Sequence, residues 1–220
     1  MGSSLDDPKV QAVLNREHER SRDDSDKLAE LRPEIEAAKK AGTFTYNMYP
    51  KDVYLSIEPA MGVFLNLCAR TMGAKTIVEF GTSFGISTIY FAAAARDTGG
   101  RVIGTELEPS KVEKARANLE EAGLSDVVEI REGDAMQTLA DGPAPVDMLF
   151  LDGWKDLYVP VAEMIRPRLA KNAVVLADNV RTFPAELQAY IDHMERADGP
   201  FRSVTLPYES GLHYSLYTGQ

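Results

Sequence analysis

From Lys75 onward, short apolar runs alternate with longer stretches in which apolar positions return at helical spacing. The alternation predicts buried strands over 75–80, 101–106, 127–131, 146–151 and 173–178, with helices over 84–96, 109–122, 135–140 and 157–169 between them. Strands separated by helices require crossovers, which are right-handed, so the sheet should be mostly parallel and covered on both faces. A further helix over 184–196 precedes two more strands, 202–206 and 212–217. The connection 207–211 is short enough for a hairpin, so the sheet should end in an antiparallel pair.

The first part of the chain reads differently. Residues 5 to about 41 are rich in charge, with Leu14, Leu28, Leu31 and Ile35 spaced sparsely. That pattern predicts one or two amphipathic helices interrupted near Pro33, forming a cap on the main body or on a partner subunit. The acidic stretch 23–26 reads as a solvated helix face. A segment dense in Tyr and Pro, 43–59, reads as a structured loop, its aromatic cluster over 44–54 as a lid, and 59–72 as a helix. The division expected is therefore 1–58, cap and lid, and 59–220, the main domain.

Composition narrows the class. The chain has 220 residues, 44% hydrophobic and 26% charged, ordinary for a globular body with a sizeable core. A formal net charge of −10 opposes a nucleic-acid partner or an anionic membrane surface. Cys68 is the only cysteine, which excludes an intrachain disulfide and fits a reducing compartment. The opening residues show no signal peptide and no run approaches a membrane span. The expectation is a cytoplasmic protein acting on a small molecule, with a homodimer as the oligomer to test.

Two apolar runs end abruptly in oxygen ligands. Leu151 is followed by Asp152-Gly153-Trp154-Lys155, and Ala177 by Asp178-Asn179. Neighbouring parallel strands would bring Asp152, Asp178 and Asn179 to one point, a donor set that suits Mg²⁺. Lys155, one short turn beyond Asp152, would stand over the same point as a proton acceptor. Each feature alone has a plainer reading: a helix-capping Asp, a turn Asn, a solvated Lys. His18, His193 and His213 carry no ligand spacing and read as structural or surface residues.

The first strand runs into Glu79-Phe80-Gly81-Thr82-Ser83-Phe84-Gly85-Ile86-Ser87. Gly81 permits a tight exit and Gly85 a close approach to the following helix, whose N–H groups would greet a ligand. The glycines lie four apart, unlike the G-x-G-x-x-G of dinucleotide sites. Acidic Glu79 would repel a pyrophosphate and attract the cationic end of S-adenosylmethionine. Glu106, ending the next strand, is placed for ribose hydroxyls, and Asp134-Ala135 after the third strand for an adenine.

With these residues in place, the chain resembles the Mg²⁺-dependent catechol O-methyltransferases among class I S-adenosylmethionine-dependent methyltransferases. The motifs that carry the resemblance are the segment 147–158 around Asp152-Gly153-Trp154-Lys155 and the segment 175–180 around Asp178-Asn179. The likeness extends from about Pro59 to Tyr217. It implies a Rossmann-like α/β fold: a mostly parallel seven-stranded sheet with an antiparallel last strand, helices on both faces and an N-terminal helical cap. It implies that Asp152, Asp178 and Asn179 hold the metal and that Lys155 is the general base. Glu79, Gly81, Ser83, Gly85, Ser87, Glu106, Asp134, Ala135, Asp152 and Trp154 become the donor-site candidates. Met48, Tyr49, Trp154, Lys155, Asn179 and Glu209 become the acceptor-site candidates.

Three departures bear on the acceptor. Gly153 replaces the family's His, which leaves more room near the donor. Trp154 is the only tryptophan, so Tyr46, Met48, Tyr49 and Tyr54 are the candidates for the wall a loop tryptophan provides elsewhere. Glu209 lies near the late acidic position without matching its register. The expected reaction is methyl transfer to a catechol hydroxyl, with larger phenolics (a flavonoid, a hydroxycinnamoyl ester, an antibiotic intermediate) as the second reading. A non-catalytic S-adenosylmethionine-binding regulator is the reading from another class.

Overall fold

The computed structural model describes residues 2–45 and 48–219. The strands are β1 (Thr76–Phe80), β2 (Arg101–Glu106), β3 (Val128–Glu132), β4 (Val146–Leu151), β5 (Leu169–Ala177), β6 (Phe201–Leu206) and β7 (Leu212–Tyr217). They form one sheet in the order β3-β2-β1-β4-β5-β7-β6. The first five are parallel, and β7 inserts antiparallel between β5 and β6. All of β1 is buried, as a parallel strand covered on both faces must be. The order reverses between β1 and β4, so the loops after these two strands flank a crevice at the strands' carboxyl ends, where open α/β sheets bind ligands.

Helices α1 (Pro8–Asp23), α3 (Pro59–Thr71), α4 (Ile86–Thr98) and α5 (Pro109–Glu121) cover one face. The other carries α6 (Ala135–Thr138), α7 (Tyr158–Ile165) and α8 (Pro184–Met194). The predicted helix over 157–169 is shorter because Pro167 cannot continue it, and Arg166–Arg168 closes as a 3₁₀ turn before β5. Val10, Val13 and Leu14 of α1 are buried with Ile89 and Phe91 of α4, so the apolar face of this helix is spent on the chain's own body.

Two expectations for the cap are corrected. The break between α1 and α2 (Ser25–Ala41) falls at Asp24, and Pro33 lies inside α2. Pro33 and Ala29, whose carbonyl the proline leaves without a helix partner, are both exposed, so water can satisfy it. Nor is the stretch 23–26 wholly a solvated face. Asp24 is buried, accepting hydrogen bonds from Tyr54 N at 3.1 Å and Lys27 Nζ at 2.7 Å. Among the described residues, no helix is long and apolar enough to cross a membrane.

Candidate active site

The glycine loop between β1 and α4 is folded around a carboxylate. Glu79 is fully buried and accepts from Ser87 Oγ at 2.7 Å, Thr82 Oγ1 at 3.1 Å and Thr88 Oγ1. Burial pushes its carboxyl up to about 7, against the pull of the three hydroxyls. Gly81 has φ 97°, and a Cβ there would lie 2.6 Å from the Asp152 carbonyl, so only glycine lets β1 and β4 exit this close together. Ser83 is also left-handed, φ 49°, and its N–H donates to Glu106 Oε2 at 2.8 Å. Glu106 Oε1 accepts from Glu108 N at 2.9 Å, so this carboxylate braces the loop while each oxygen keeps a further lone pair for a ligand.

Beyond β3, the exposed Asp134 caps α6 by accepting from Met136 N at 2.8 Å, and Ala135 is buried behind it. The loop faces Tyr54, Ser56 and Ile57, and together with Asp152 these residues line a cleft. A backbone cradle that a Cβ would fill, closed by a half-exposed carboxylate from β2, fits the donor implied by the sequence.

Across the switch point, Asp152 N–H donates to the Phe80 carbonyl at 2.8 Å and Asp178 N–H to the Leu151 carbonyl at 3.0 Å, which ties both ligand candidates to neighbouring strand ends. Asp178 is 2% exposed; its Oδ1 accepts from Asn179 N and from Ser210 Oγ, and its Oδ2 from Asn179 Nδ2 at 3.1 Å. Asn179 is left-handed at φ 71°, which asparagine tolerates better than most residues and which folds its amide back over Asp178. Turning that amide by 180° would set its oxygen beside Asp178 Oδ2, an arrangement that calls for a cation between them.

Lys155 opens a 3₁₀ turn and is buried; its Nζ donates to Gly153 O and Tyr158 Oη, both at 2.9 Å, and stands 3.6 Å from Asp152 Oδ1. Tyr158 Oη donates in turn to the Asp178 carbonyl at 3.1 Å. Burial raises the Asp152 carboxyl well above the carboxylate range; Lys155 draws it down, and Asp178 and Glu79 push it up again. Asp178 is raised by burial, and Lys155 is lowered by it despite both carboxylates. The donor set fits a divalent ion, because two crowded carboxylates lean on one lysine that itself resists charge. Among the described residues no three His, Cys, Asp or Glu side chains gather to hold a metal.

The expectation that Gly153 leaves room near the donor is overturned. A Cβ there would meet the Phe80 ring at 2.3 Å; the ring of a bulky neighbour already fills that space. Glu209 is exposed, and the adjacent Ser210 is the residue that reaches Asp178. Tyr49 packs edge-on against Phe44, and Lys39 lies over both Phe44 and Phe183. Phe183 also lies under Lys155, 5.5 Å away, which brings α2 and the segment around Phe44 and Tyr49 to the neighbourhood of Lys155. Tyr54 instead stacks on Phe84, at the donor side. Tyr46 falls outside the described residues. Trp154 is half-buried against the α7–α8 face.

The comparisons with known proteins agree with this geometry. Residues 78–180, from the middle of β1 to just past Asn179, match the family described as a methyltransferase domain. A catechol O-methyltransferase of Niastella koreensis is 36% identical over 130 residues, 57% of this chain and 58% of that protein. A catechol O-methyltransferase of Mycobacterium tuberculosis is 36% identical over 129 residues, 57% of each chain. The O-methyltransferase TomG of Streptomyces achromogenes, solved with S-adenosylmethionine, superposes with a TM-score of 0.68 at 26% identity over 86% of this chain and 89% of that one.

The chain thus carries a match to a methyltransferase domain over 78–180 and is similar to catechol O-methyltransferases. It spans somewhat over half the length of the curated relatives it matches. The matched region holds Glu79, Glu106, Asp152, Lys155, Asp178 and Asn179. It leaves out Ser210 and Phe183, whose contacts with Asp178 and Lys155 cross from other parts of the chain. Their sequence signal is weak, since a serine in a hairpin turn and a phenylalanine before a helix are commonplace.

Proposed function

We propose that this protein transfers a methyl group from S-adenosylmethionine to a hydroxyl of a catechol-type small molecule, with Mg²⁺ held by Asp152, Asp178 and Asn179. The observation that carries the reading is the meeting of these three residues and Lys155 at adjacent strand ends, beside a glycine loop braced by Glu106. A bound divalent ion supplies Lewis acidity and a template for two adjacent oxygens.

Lys155 is the proposed base. A neutral amine has two N–H groups and one lone pair; hydrogen bonds to Gly153 O and Tyr158 Oη anchor the N–H groups and so orient the lone pair. Burial favours that neutral form, the condition for accepting a proton near neutrality. Glu106 is read as the ribose carboxylate, the 81–87 loop as the methionyl cradle, and Asp134-Ala135 as the adenine end. Holding acceptor oxygen and methyl carbon in line contributes most of the rate. Larger phenolics lose one of their two supports now that Phe80 occupies the space beside Gly153, the absent loop tryptophan being the other. A purely regulatory role is opposed by a buried lysine poised between two carboxylates.

The test is methyl transfer from radiolabelled S-adenosylmethionine to a panel of catechols and single phenols, with Mg²⁺ and with EDTA. Transfer to catechols, abolished by chelator and restored by Mg²⁺ or Mn²⁺, is the expected outcome. Undiminished transfer in chelator would sink the metal assignment, and transfer only to single phenols the catechol assignment. Sedimentation velocity decides whether the protein is a homodimer.

A further inference from the structure

The cap is wired into the donor loop through a closed ring of contacts that the reaction itself does not require. Glu17 of α1 is fully buried, yet its carboxyl is held below the ordinary range: burial alone would raise it, and the Tyr54 hydroxyl and Arg16 guanidinium outweigh that. Its Oε1 is shared by Arg16 Nε at 2.7 Å, Arg20 Nη1 at 2.9 Å and Lys114 Nζ at 3.4 Å, whereas its Oε2 accepts from Tyr54 Oη. The Tyr54 ring stacks on Phe84 of the glycine loop, with centroids 4.1 Å apart and planes 24° from parallel. The Phe84 carbonyl accepts from Asn118 Nδ2 at 2.9 Å, and Asn118 Oδ1 accepts from Arg16 Nη2 at 3.0 Å. Arg16 returns to Glu17, and the circuit closes.

Tyr54 is also the first residue of the strap, Tyr54 to Ile57, that walls the cleft opposite Gly81, Ser83 and Asp152. Two further ties hold the strap to the cap: Tyr54 N donates to Asp24 Oδ2 at 3.1 Å, and Ser56 Oγ meets Ser21 Oγ at 2.6 Å. Among the described residues, the strap's hydrogen bonds to side chains go to α1 or to the residue that ends it, while Ile57 is buried in the main core. Because the strap forms part of the cleft wall, lifting it would widen the way in and out for a ligand the size of a nucleoside.

We propose that Glu17 and Tyr54 form a latch that sets how often the strap opens, so that these positioning residues control the rates of donor uptake and product release. The inference rests on reading the cleft as the donor site. A latch present with and without ligand predicts a particular kinetic signature. Weakening it raises association and dissociation rates together and leaves their ratio nearly unchanged, whereas damage to the site slows nothing but raises the dissociation constant.

The experiment uses the full chain and S-adenosylhomocysteine, with the dissociation constant from calorimetry and release of the tritiated ligand by rapid filtration. Tyr54→Phe keeps the stack on Phe84 and removes one charge-assisted hydrogen bond, so release should accelerate about ten- to a hundredfold while the dissociation constant moves less than about threefold. Ser56→Ala, which removes the tie to Ser21, should shift both rates the same way by a smaller factor and keeps the test intact if the first variant does not fold. Unchanged release in the folded variants, or a dissociation constant that rises in step with the release rate, overturns the latch. Failure of the unaltered protein to bind S-adenosylhomocysteine is a different result and removes the donor-site reading itself.

Discussion

Glu79 and Asp178 occupy comparable places at the carboxyl ends of buried parallel strands, yet they differ in the charges set beside them. Around Glu79 the chain supplies three neutral hydroxyls, and the neighbouring Glu106 takes two backbone N–H groups. That side is complete without any ion. Asp178 likewise accepts from three neutral donors, Asn179 N, Asn179 Nδ2 and Ser210 Oγ, but it also faces a second carboxylate, Asp152, and one lysine whose own charge burial opposes. Placing like charges together away from water is costly unless a counter-charge arrives. The Glu79 side is thus organised as structure, and the Asp178 side brings like charges together in a way that the proposed dication would relieve.

The sharpest way to break this contrast is at Lys155. Lys155→Ala should lower kcat by about 10²–10⁴-fold with donor affinity near that of the unaltered enzyme, since a positioned base contributes about that much. Lys155→Arg should not rescue, because a guanidinium does not release its proton at accessible pH. Normal turnover in the arginine variant at neutral pH would make Lys155 an electrostatic rather than a basic residue.

On the donor side the leading effect is on stability. The Glu79 carboxyl, raised to about 7 from an ordinary 4.5, is protonated more readily in the folded than in the unfolded chain. Its contribution is present in full below the unfolded value and is lost as pH rises through the folded one, a change on the order of 3 kcal/mol. The Tm of chelated protein should therefore fall by several degrees between about pH 5 and about pH 8. Glu79→Gln should flatten part of that slope, leaving the share due to Asp152 and Asp178. An unaltered slope in the variant would mean that Glu79 is ionised at neutrality despite its burial.

Glu106→Ala should weaken donor binding roughly ten- to a hundredfold, the worth of about 1.5–3 kcal/mol in charge-assisted hydrogen bonds, with kcat at saturating donor little changed. Unchanged affinity by calorimetry would remove Glu106 from the donor site. The smallest effect should come from Gly153→Ala, which forces a methyl group into the Phe80 ring and costs about 1–3 kcal/mol of stability. Pairing it with Phe80→Leu should recover most of that loss, measured by urea unfolding.

The legible part of the site was the part encoded in contiguous stretches. Buried runs that stop at Asp152 and Asp178 locate both strand ends, and β2, β4 and β7 have the bounds the apolar pattern predicts. Glu106 was legible for the same reason. Contacts between distant segments were not: Phe80 filling the space beside Gly153, Ser210 on Asp178, and Phe183 between Lys39 and Lys155 join residues whose local patterns say nothing of each other. The cap was misjudged where its charges are concerned. A charge-rich helix reads as solvated, and only the fold reveals that Glu17 and Asp24 are buried against partners from the strap.

The position of β7 between β5 and β6 has a consequence for how the chain reaches its final form. During synthesis β6 leaves the ribosome before β7, yet the sheet offers it no neighbour until β7 has docked on β5. The turn joining the two carries Ser210, and its backbone receives Arg181 N–H at 2.8 Å, so the same late event seats the segment beside Asp178. A nascent chain halted before residue 207 would own all five parallel strands and the whole glycine loop, but its Asp178 would lack the hydroxyl that steadies it. The order of manufacture thus places the finishing of the Asp178 side last, after the glycine loop has all its strands.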